Sequence, residues 1–230
     1  MIKKDPIYFK LIIIALLFLL LAFDRDMAII YILILLGDYI WYTSDKFISF
    51  PIEKTKSKWT TSLFTAIAAY GIFLGIATVL TSTLSPESLT LSTGAVQSIF
   101  ELLATSTPIL QGSKILTLVG WGILIPIIET SFWNGRLLEG FAEIGSTKVG
   151  KKIPLTKIDI NTFIVMVFIA ATFSLFHITA KGLSAVPLMI TFVFSLVSSY
   201  LVIRDQETKS AILLHIISNS AVVIASYGLF

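Results

Sequence analysis

The sequence contains no cysteine, only two histidines and few charged residues. The absence of cysteine excludes disulfide bonds, thiolate metal sites and a cysteine nucleophile. Charged residues make up 13% and hydrophobic residues 56% of the 230 positions, whereas soluble domains carry about 25% charged residues. So few charges cannot cover a soluble surface, and the composition predicts an integral membrane protein. Because the net charge is only +3, we expect membrane lipid and no nucleic acid as a partner.

Long apolar runs predict an all-α, polytopic bundle of about seven to eight transmembrane helices, because a span needs about 20 mostly apolar residues. The predicted spans are Tyr8–Phe23, Met27–Tyr42, Thr61–Ser82, Ile115–Asn134, Ile160–Ile178, Leu183–Ile203 and Ser210–Leu229. The eighth candidate is a short interfacial or re-entrant helix at Ala95–Ala104. We expect one integral-membrane domain over 1–230, in which 1–108 holds spans without motifs and 109–230 holds the motif-bearing core.

The distribution of lysine and arginine predicts the orientation of these spans. If the N-terminus lies inside, only Arg25, Lys114 and Lys181 of the 17 basic residues fall outside. Positively charged residues concentrate in cytoplasmic loops. We therefore expect a multi-pass protein of the cell membrane with its N-terminus inside and its C-terminus outside.

Polar residues within the apolar runs need an explanation, because ionisable groups in a bilayer are costly and tend to be functional. Glu129 follows Pro126, which should kink the helix just before it. His215 and Asn219 are four residues apart and therefore share one helix face. By the helical rise, Glu129 and His215 both lie roughly 8 to 9 Å from the inner face, whereas His177 counts to roughly 25 Å. Either that span is tilted or begins deeper, or His177 is an interfacial histidine without a role.

Three short motifs in the C-terminal half resemble those of a known family in the same order. They are Glu129-Thr130 followed by Trp133-Asn134-Gly135, then Phe173-x-x-x-His177, and finally His215-x-x-x-Asn219. The family is the CPBP family of intramembrane proteases, which are Abi-like type II CAAX endopeptidases related to the Ras-converting enzyme. Its motifs read Glu-Glu-x-x-x-Arg, Phe-x-x-x-His and His-x-x-x-Asn/Asp. Thr130 stands at the second glutamate and Asn134 at the arginine, and Arg136 follows two residues later.

The resemblance implies an intramembrane endopeptidase that hydrolyses a peptide bond in a membrane-associated or lipidated protein or peptide. In the family, the first glutamate and the histidine of the second motif are held to activate the water, and the third motif is held to bind the oxyanion. Carried over, Glu129 is the base and His177 its partner, while His215 and Asn219 donate to the oxyanion. The residues implied to support them are Thr130, Asn134, Arg136 and Phe173.

Zinc is the alternative to a metal-free site. Glu129, His177 and His215 could supply the three protein ligands of a catalytic zinc. We nevertheless expect no metal and no other cofactor, because the sequence has no His-Glu-x-x-His motif and a ligating Glu129 would leave no second base.

Two other functions stay open on the sequence alone. The departures at Thr130 and Asn134 are compatible with a catalytically worn scaffold or a bacteriocin-immunity membrane protein. Buried polar groups and Pro126 in a helix also fit a small transporter, although no inverted repeat is evident.

Overall fold

The computed structural model describes residues 33–37, 59–84, 114–138, 158–177, 185–205 and 207–227. Its α-helices are, in chain order, α1 (Trp59–Leu84), α2 (Lys114–Thr117), α3 (Ile125–Thr130), α4 (Ile160–Phe176), α5 (Ala185–Asp205) and α6 (Lys209–Ser226). A π-helical segment, Leu118–Leu124, joins α2 to α3, and a second, Ser131–Leu137, extends α3. The described residues contain helices and no strand, which confirms the all-α prediction.

Helices lie at five of the seven predicted spans, from the span at Thr61–Ser82 onward. Two of them, Trp59–Thr83 and Ala185–Asp205, are long and apolar enough to cross a membrane, and Ile160–Phe176 and Lys209–Ala225 are shorter apolar helices. The described ranges therefore do not reach the predicted seven to eight spans. The remaining predictions lie outside the described residues, except that 33–37 are helical; these predictions are Tyr8–Phe23, Met27–Tyr42 and Ala95–Ala104.

The outer face of α1 is strongly apolar and exposed. Phe64, Ile72 and Val79 are 72%, 64% and 62% exposed. A soluble monomer rarely leaves such a contiguous apolar face open to water, but acyl chains cover it at no cost. The face of α1 therefore fits a helix that contacts lipid on one side and the bundle on the other.

Pro126 determines how the helical region 114–138 meets α6. Proline has no backbone N–H, so it cannot serve the carbonyls of Gly122, four residues earlier, or Trp121, five residues earlier. Side chains of α6 donate to both carbonyls instead. Asn219 Nδ2 lies 3.2 Å from the Trp121 oxygen, and Ser220 Oγ lies 3.2 Å from the Gly122 oxygen. Neighbouring helices commonly pair backbone groups that a proline frees within a membrane. A π-helical stretch thus precedes Pro126, and its carbonyls bind side chains of α6. The kink itself stays a prediction.

Aromatic rings connect α4 and α5 to the second π-helical segment, Ser131–Leu137, and to α1. Phe173 packs edge-on against Trp133 at a centroid distance of 6.0 Å and lies 6.5 Å from Phe194. Phe194 continues the cluster to Phe73 of α1 at 5.4 Å. Such pairs stabilise by about 0.5–1.5 kcal/mol beyond their buried area. The cluster therefore fixes four helical elements around one centre.

The described residues between α5 and α6 are polar and buried, and we call residues 205 and 207–210 the polar turn. Lys209 Nζ lies 3.4 Å from Glu207 Oε2 and 5.6 Å from the centre of the Trp59 ring. The Ser62 hydroxyl donates to Glu207 at 3.3 Å. Glu207 is fully buried, so these contacts supply the pairing that a buried carboxylate requires. They also join the start of α1 to the start of α6.

Candidate active site

Glu129 and His215 meet between two helices. Glu129 lies in the last turn of α3, directly before the second π-helical segment, and His215 lies in the second turn of α6. Their side chains are buried, and Glu129 Oε2 is 3.7 Å from His215 Nε2. A buried carboxylate is tolerated only with a partner, and His215 provides one. The structure thus brings together the residues that open the first motif and the third motif.

Thr130 joins this pair from the next position of the chain. Its hydroxyl oxygen lies 2.9 Å from His215 Nδ1. The two nitrogens of His215 therefore face two consecutive residues, Glu129 and Thr130. The resemblance places Thr130 at the family's second glutamate as a supporting residue, and in the structure its hydroxyl contacts His215.

His177 is the C-cap residue of α4. Its Nδ1 lies 2.8 Å from the carbonyl oxygen of Phe173, and the two rings pack with centroids 4.4 Å apart. The Phe173 ring also packs edge-on against His215, at 6.2 Å. Both histidines therefore contact the same phenylalanine. Counting along straight spans did not predict this shared neighbour, because it assumes that all helices begin at the same depth.

Asn219 lies one turn beyond His215 on α6 and is half-buried. It donates through its amide nitrogen to the Trp121 carbonyl at 3.2 Å. The structure therefore gives Asn219 a bond to the neighbouring helical region, and its role as an oxyanion donor stays a prediction.

Asn134 and Arg136 lie in the second π-helical segment, and both are buried. Asn134 Nδ2 donates to the Ser199 hydroxyl at 2.9 Å and to the Ser195 carbonyl at 3.3 Å. Asn134 therefore ties this segment to α5. The seven-residue spacing of Glu129 and Arg136 does not imply one face here, because the turns between them are π-helical and wider than α-helical turns.

The zinc alternative has no ligand set in this part of the chain. Among the described residues, no group of three or more His, Asp or Glu side chains is close enough to hold a metal ion. Glu129, His177 and His215, the three ligands considered for zinc, all belong to those residues and do not form such a group. These three residues therefore do not fit a catalytic zinc ion as they are arranged, and the metal-free site stays a prediction.

A comparison with models of known protein families found a match to this chain. Residues 111–221 match the model of the family described as type II CAAX prenyl endopeptidase, Rce1-like. The matched segment lies in the C-terminal half of the chain. This confirms the resemblance to the type II CAAX endopeptidases, and the Rce1-like family is a family of membrane-embedded proteases. The Rce1-like segment contains all the site residues predicted from the sequence. The comparisons with curated proteins and with solved structures found no match.

Sequence reasoning missed several residues that shape the Rce1-like site. Phe194 packs against the His215 ring at 4.9 Å, and no motif marks it. Trp121 and Ser220 were also missed. Their roles follow from Pro126, because a proline inside a helix implies freed carbonyls and hence donors nearby. That rule was sufficient to predict a donor, although the helix that provides it depends on the packing.

Proposed function

We propose that this protein is an intramembrane endopeptidase that hydrolyses a peptide bond in a membrane-associated or lipidated protein or peptide. The observation that carries the proposal is the buried Glu129–His215 pair, 3.7 Å apart, within the segment that matches a protease family. A carboxylate beside an imidazole, out of bulk water, is a suitable general base. A donor side chain one turn away, Asn219, suits the developing oxyanion.

The proposed reaction uses one water and no cofactor. Glu129 takes a proton from the water as the water oxygen bonds to the scissile carbonyl carbon. His177 is its partner in activating the water. The carbonyl oxygen becomes an oxyanion, which accepts hydrogen bonds from the Nε2–H of His215 and from the second amide hydrogen of Asn219. The C–N bond then breaks, and the proton held by Glu129 passes to the leaving amine. Removing one oxyanion donor typically lowers the rate by about 10²–10³.

The membrane setting of the proposal follows the sequence analysis. The chain is a multi-pass cell-membrane protein of seven to eight spans with its N-terminus inside, in the manner of the CPBP and Abi-like proteins. Lipid surrounds it, and the substrate reaches Glu129 and His215 from the inner side.

The test is cleavage by the purified full-length protein in lipid nanodiscs. Wild-type protein is incubated with a panel of prenylated peptides ending in CAAX sequences and with membrane-anchored peptides, and the products are read by mass spectrometry. We expect cleavage by wild type and a loss of about 10²–10⁴-fold in Glu129→Gln, the range for removing a general base.

Glu207→Gln is the matched control, because it makes the same chemical change at another buried carboxylate. It should retain the cleavage rate per folded molecule. Cleavage that persists in Glu129→Gln overturns the assigned base. Chelator treatment should leave the wild-type rate unchanged, and a loss that zinc restores would favour the metal alternative.

A second candidate function is a catalytically worn relative that acts as a scaffold or immunity protein. The observation in its favour is that Asn134, at the family's arginine position, serves packing by bonding to Ser195 and Ser199. Absence of cleavage across the whole panel by folded wild-type protein favours this candidate over the protease.

A further inference from the structure

Both histidines turn Nδ1 toward a hydrogen-bond partner, but the two partners differ in kind. Nδ1 of His177 lies 2.8 Å from the backbone oxygen of Phe173. A carbonyl oxygen only accepts hydrogen bonds, so Nδ1 of His177 carries the hydrogen. In the neutral ring, Nε2 of His177 is then the acceptor.

His215 is held in the opposite sense. Its Nε2 faces the Glu129 carboxylate at 3.7 Å, and its Nδ1 faces the Thr130 hydroxyl at 2.9 Å. A carboxylate only accepts, which favours a hydrogen on Nε2, and the partner of one nitrogen decides the state of the other. With the hydrogen on Nε2, the neutral ring has its lone pair on Nδ1, and the hydroxyl of Thr130, which can donate as well as accept, would donate to it.

The bonding partner of the Thr130 hydroxyl differs from those of other threonines in the described helices. Thr78, Thr81 and Thr172 donate to the carbonyl four residues earlier in their own helices, which is the usual local bond of a helical threonine. The hydroxyl of Thr130 instead crosses to α6 and meets His215, 85 positions away along the chain. Thr130 is also buried, so water does not compete with His215 for its hydroxyl.

We propose that Thr130 is a positioning residue that, together with Glu129, holds His215 as the Nε2–H tautomer, so that the two histidines of the site have opposite tautomers. His177 then presents an accepting Nε2 and His215 a donating Nε2–H. A glutamate at position 130 could only accept when ionised, and it would draw the hydrogen to Nδ1. Threonine at this position can donate the hydrogen bond that an ionised carboxylate cannot.

The consequence for catalysis rests on the proposed protease function, whereas the tautomers do not. A proton acceptor and a hydrogen-bond donor are the two kinds of group that peptide hydrolysis needs beside a base. Because their tautomers are opposite, one histidine supplies the proton acceptor and the other supplies the hydrogen-bond donor. The state of His215 can be measured without any substrate, which separates a failure of this inference from a failure of the proposed function.

The tautomers are tested by nitrogen NMR of full-length protein labelled with ¹⁵N-histidine in nanodiscs. The chain has two histidines, so His177→Gln assigns both sets of ring signals. In wild type we expect a protonated Nε2 and a bare Nδ1 for His215, and the reverse for His177. In Thr130→Val, which keeps the shape but removes the hydroxyl, the preference of His215 should be lost, while Thr130→Ser should retain it. A protonated Nδ1 of His215 in wild type, or an unchanged pattern in Thr130→Val, overturns the inference.

The matched kinetic measurement uses Thr81→Val as its control, because Thr81 is equally buried and its hydroxyl donates to a carbonyl of its own helix, α1. In Thr130→Val, Nδ1 of His215 loses its hydrogen-bond donor. We expect kcat to fall about 10- to 100-fold with little change in KM. Thr130→Ser should restore kcat, and Thr81→Val should leave it unchanged. An unchanged kcat in Thr130→Val overturns the positioning role, and so does an equal loss in Thr81→Val. If wild type cleaves nothing, the protease proposal fails and the tautomer assignment is decided by the NMR data alone.

Discussion

Two buried carboxylates of this protein have a nitrogen partner at nearly the same distance, but the partners differ in kind. Glu207 lies 3.4 Å from the ammonium group of Lys209, and Glu129 lies 3.7 Å from the imidazole of His215. An ammonium group is a compact permanent charge near neutral pH, whereas an imidazole gains and loses a proton there. The first pair therefore neutralises a charge, and the second places an exchangeable proton beside a carboxylate.

The groups around the two pairs also differ. In the polar turn, Lys209 also lies over the ring of Trp59, and Ser62 donates to Glu207, so the charges hold α1 and α6 together. Around His215, besides Glu129, the contacts include the hydroxyl of Thr130 and the rings of Phe173 and Phe194. These neutral groups help to fix the position of the imidazole without adding a charge. Burial of an acid is thus not sufficient to indicate a reactive site, and the partner of the acid distinguishes the two cases.

The largest expected effect on stability comes from Lys209→Met. This change leaves Glu207 buried without its cation, and breaking a buried pair in this way costs about 3–5 kcal/mol of the free energy of unfolding. Denaturant unfolding of the protein in micelles measures it. The cleavage rate per folded molecule should be unchanged, because the polar turn is outside the candidate site.

The double variant Glu207→Leu/Lys209→Met is the control. Replacing both partners by apolar residues is often close to neutral, so most of the lost stability should return. Loss of cleavage in Lys209→Met at unchanged stability would contradict the division between a structural pair and a reactive pair.

The helices of this protein were largely predictable because apolar length alone determines them. The predicted span at Thr61–Ser82 is the helix Trp59–Leu84, and that at Leu183–Ile203 is the helix Ala185–Asp205. The site residues were predictable only as a set, from the order of three motifs. Their pairing depends on how far each helix is shifted along its neighbour. That shift is set by packing and by the carbonyls that Pro126 frees, and a count of residues does not contain it.

Asn219 connects the structural and the chemical parts of this comparison, and a double-mutant cycle separates them. Asn219→Ala leaves the Trp121 carbonyl without its donor and should cost about 1–3 kcal/mol of the free energy of unfolding. In a Pro126→Ala background the helix regains a backbone N–H, so the cost of Asn219→Ala should fall. Unfolding of the four proteins in micelles gives the coupling free energy directly.

Ser220→Ala is the matched control for Asn219, since it removes the neighbouring donor to Gly122. Its stability cost should also fall in the Pro126→Ala background, but its cleavage rate should stay at the wild-type level. Asn219→Ala should lose cleavage in both backgrounds. Equal stability costs of Asn219→Ala in the two backgrounds would show that Pro126 does not create the need for this donor.

The smallest expected effect concerns a third carboxylate, which is exposed and accepts hydrogen bonds from the first turn of its own helix. Asp159 is the N-cap of α4 and accepts from the backbone N–H of Thr162 at 2.8 Å and from its hydroxyl at 2.9 Å. These bonds, the backbone one first, hold the pKa of Asp159 below its ordinary value. Asp159→Ala should therefore cost about 1 kcal/mol of the free energy of unfolding.

The pH dependence of this cost follows from the lowered pKa of Asp159. The carboxylate stabilises the folded state above its unfolded pKa of about 3.9, and this contribution is lost as the pH falls through the lower folded pKa. The difference in free energy of unfolding between wild type and Asp159→Ala should thus be constant from about pH 5 upward and shrink below about pH 4. Asp159→Asn, which caps without a charge, should show a smaller loss with no such dependence. A loss in Asp159→Ala that persists at low pH would assign the effect to something other than the ionised cap.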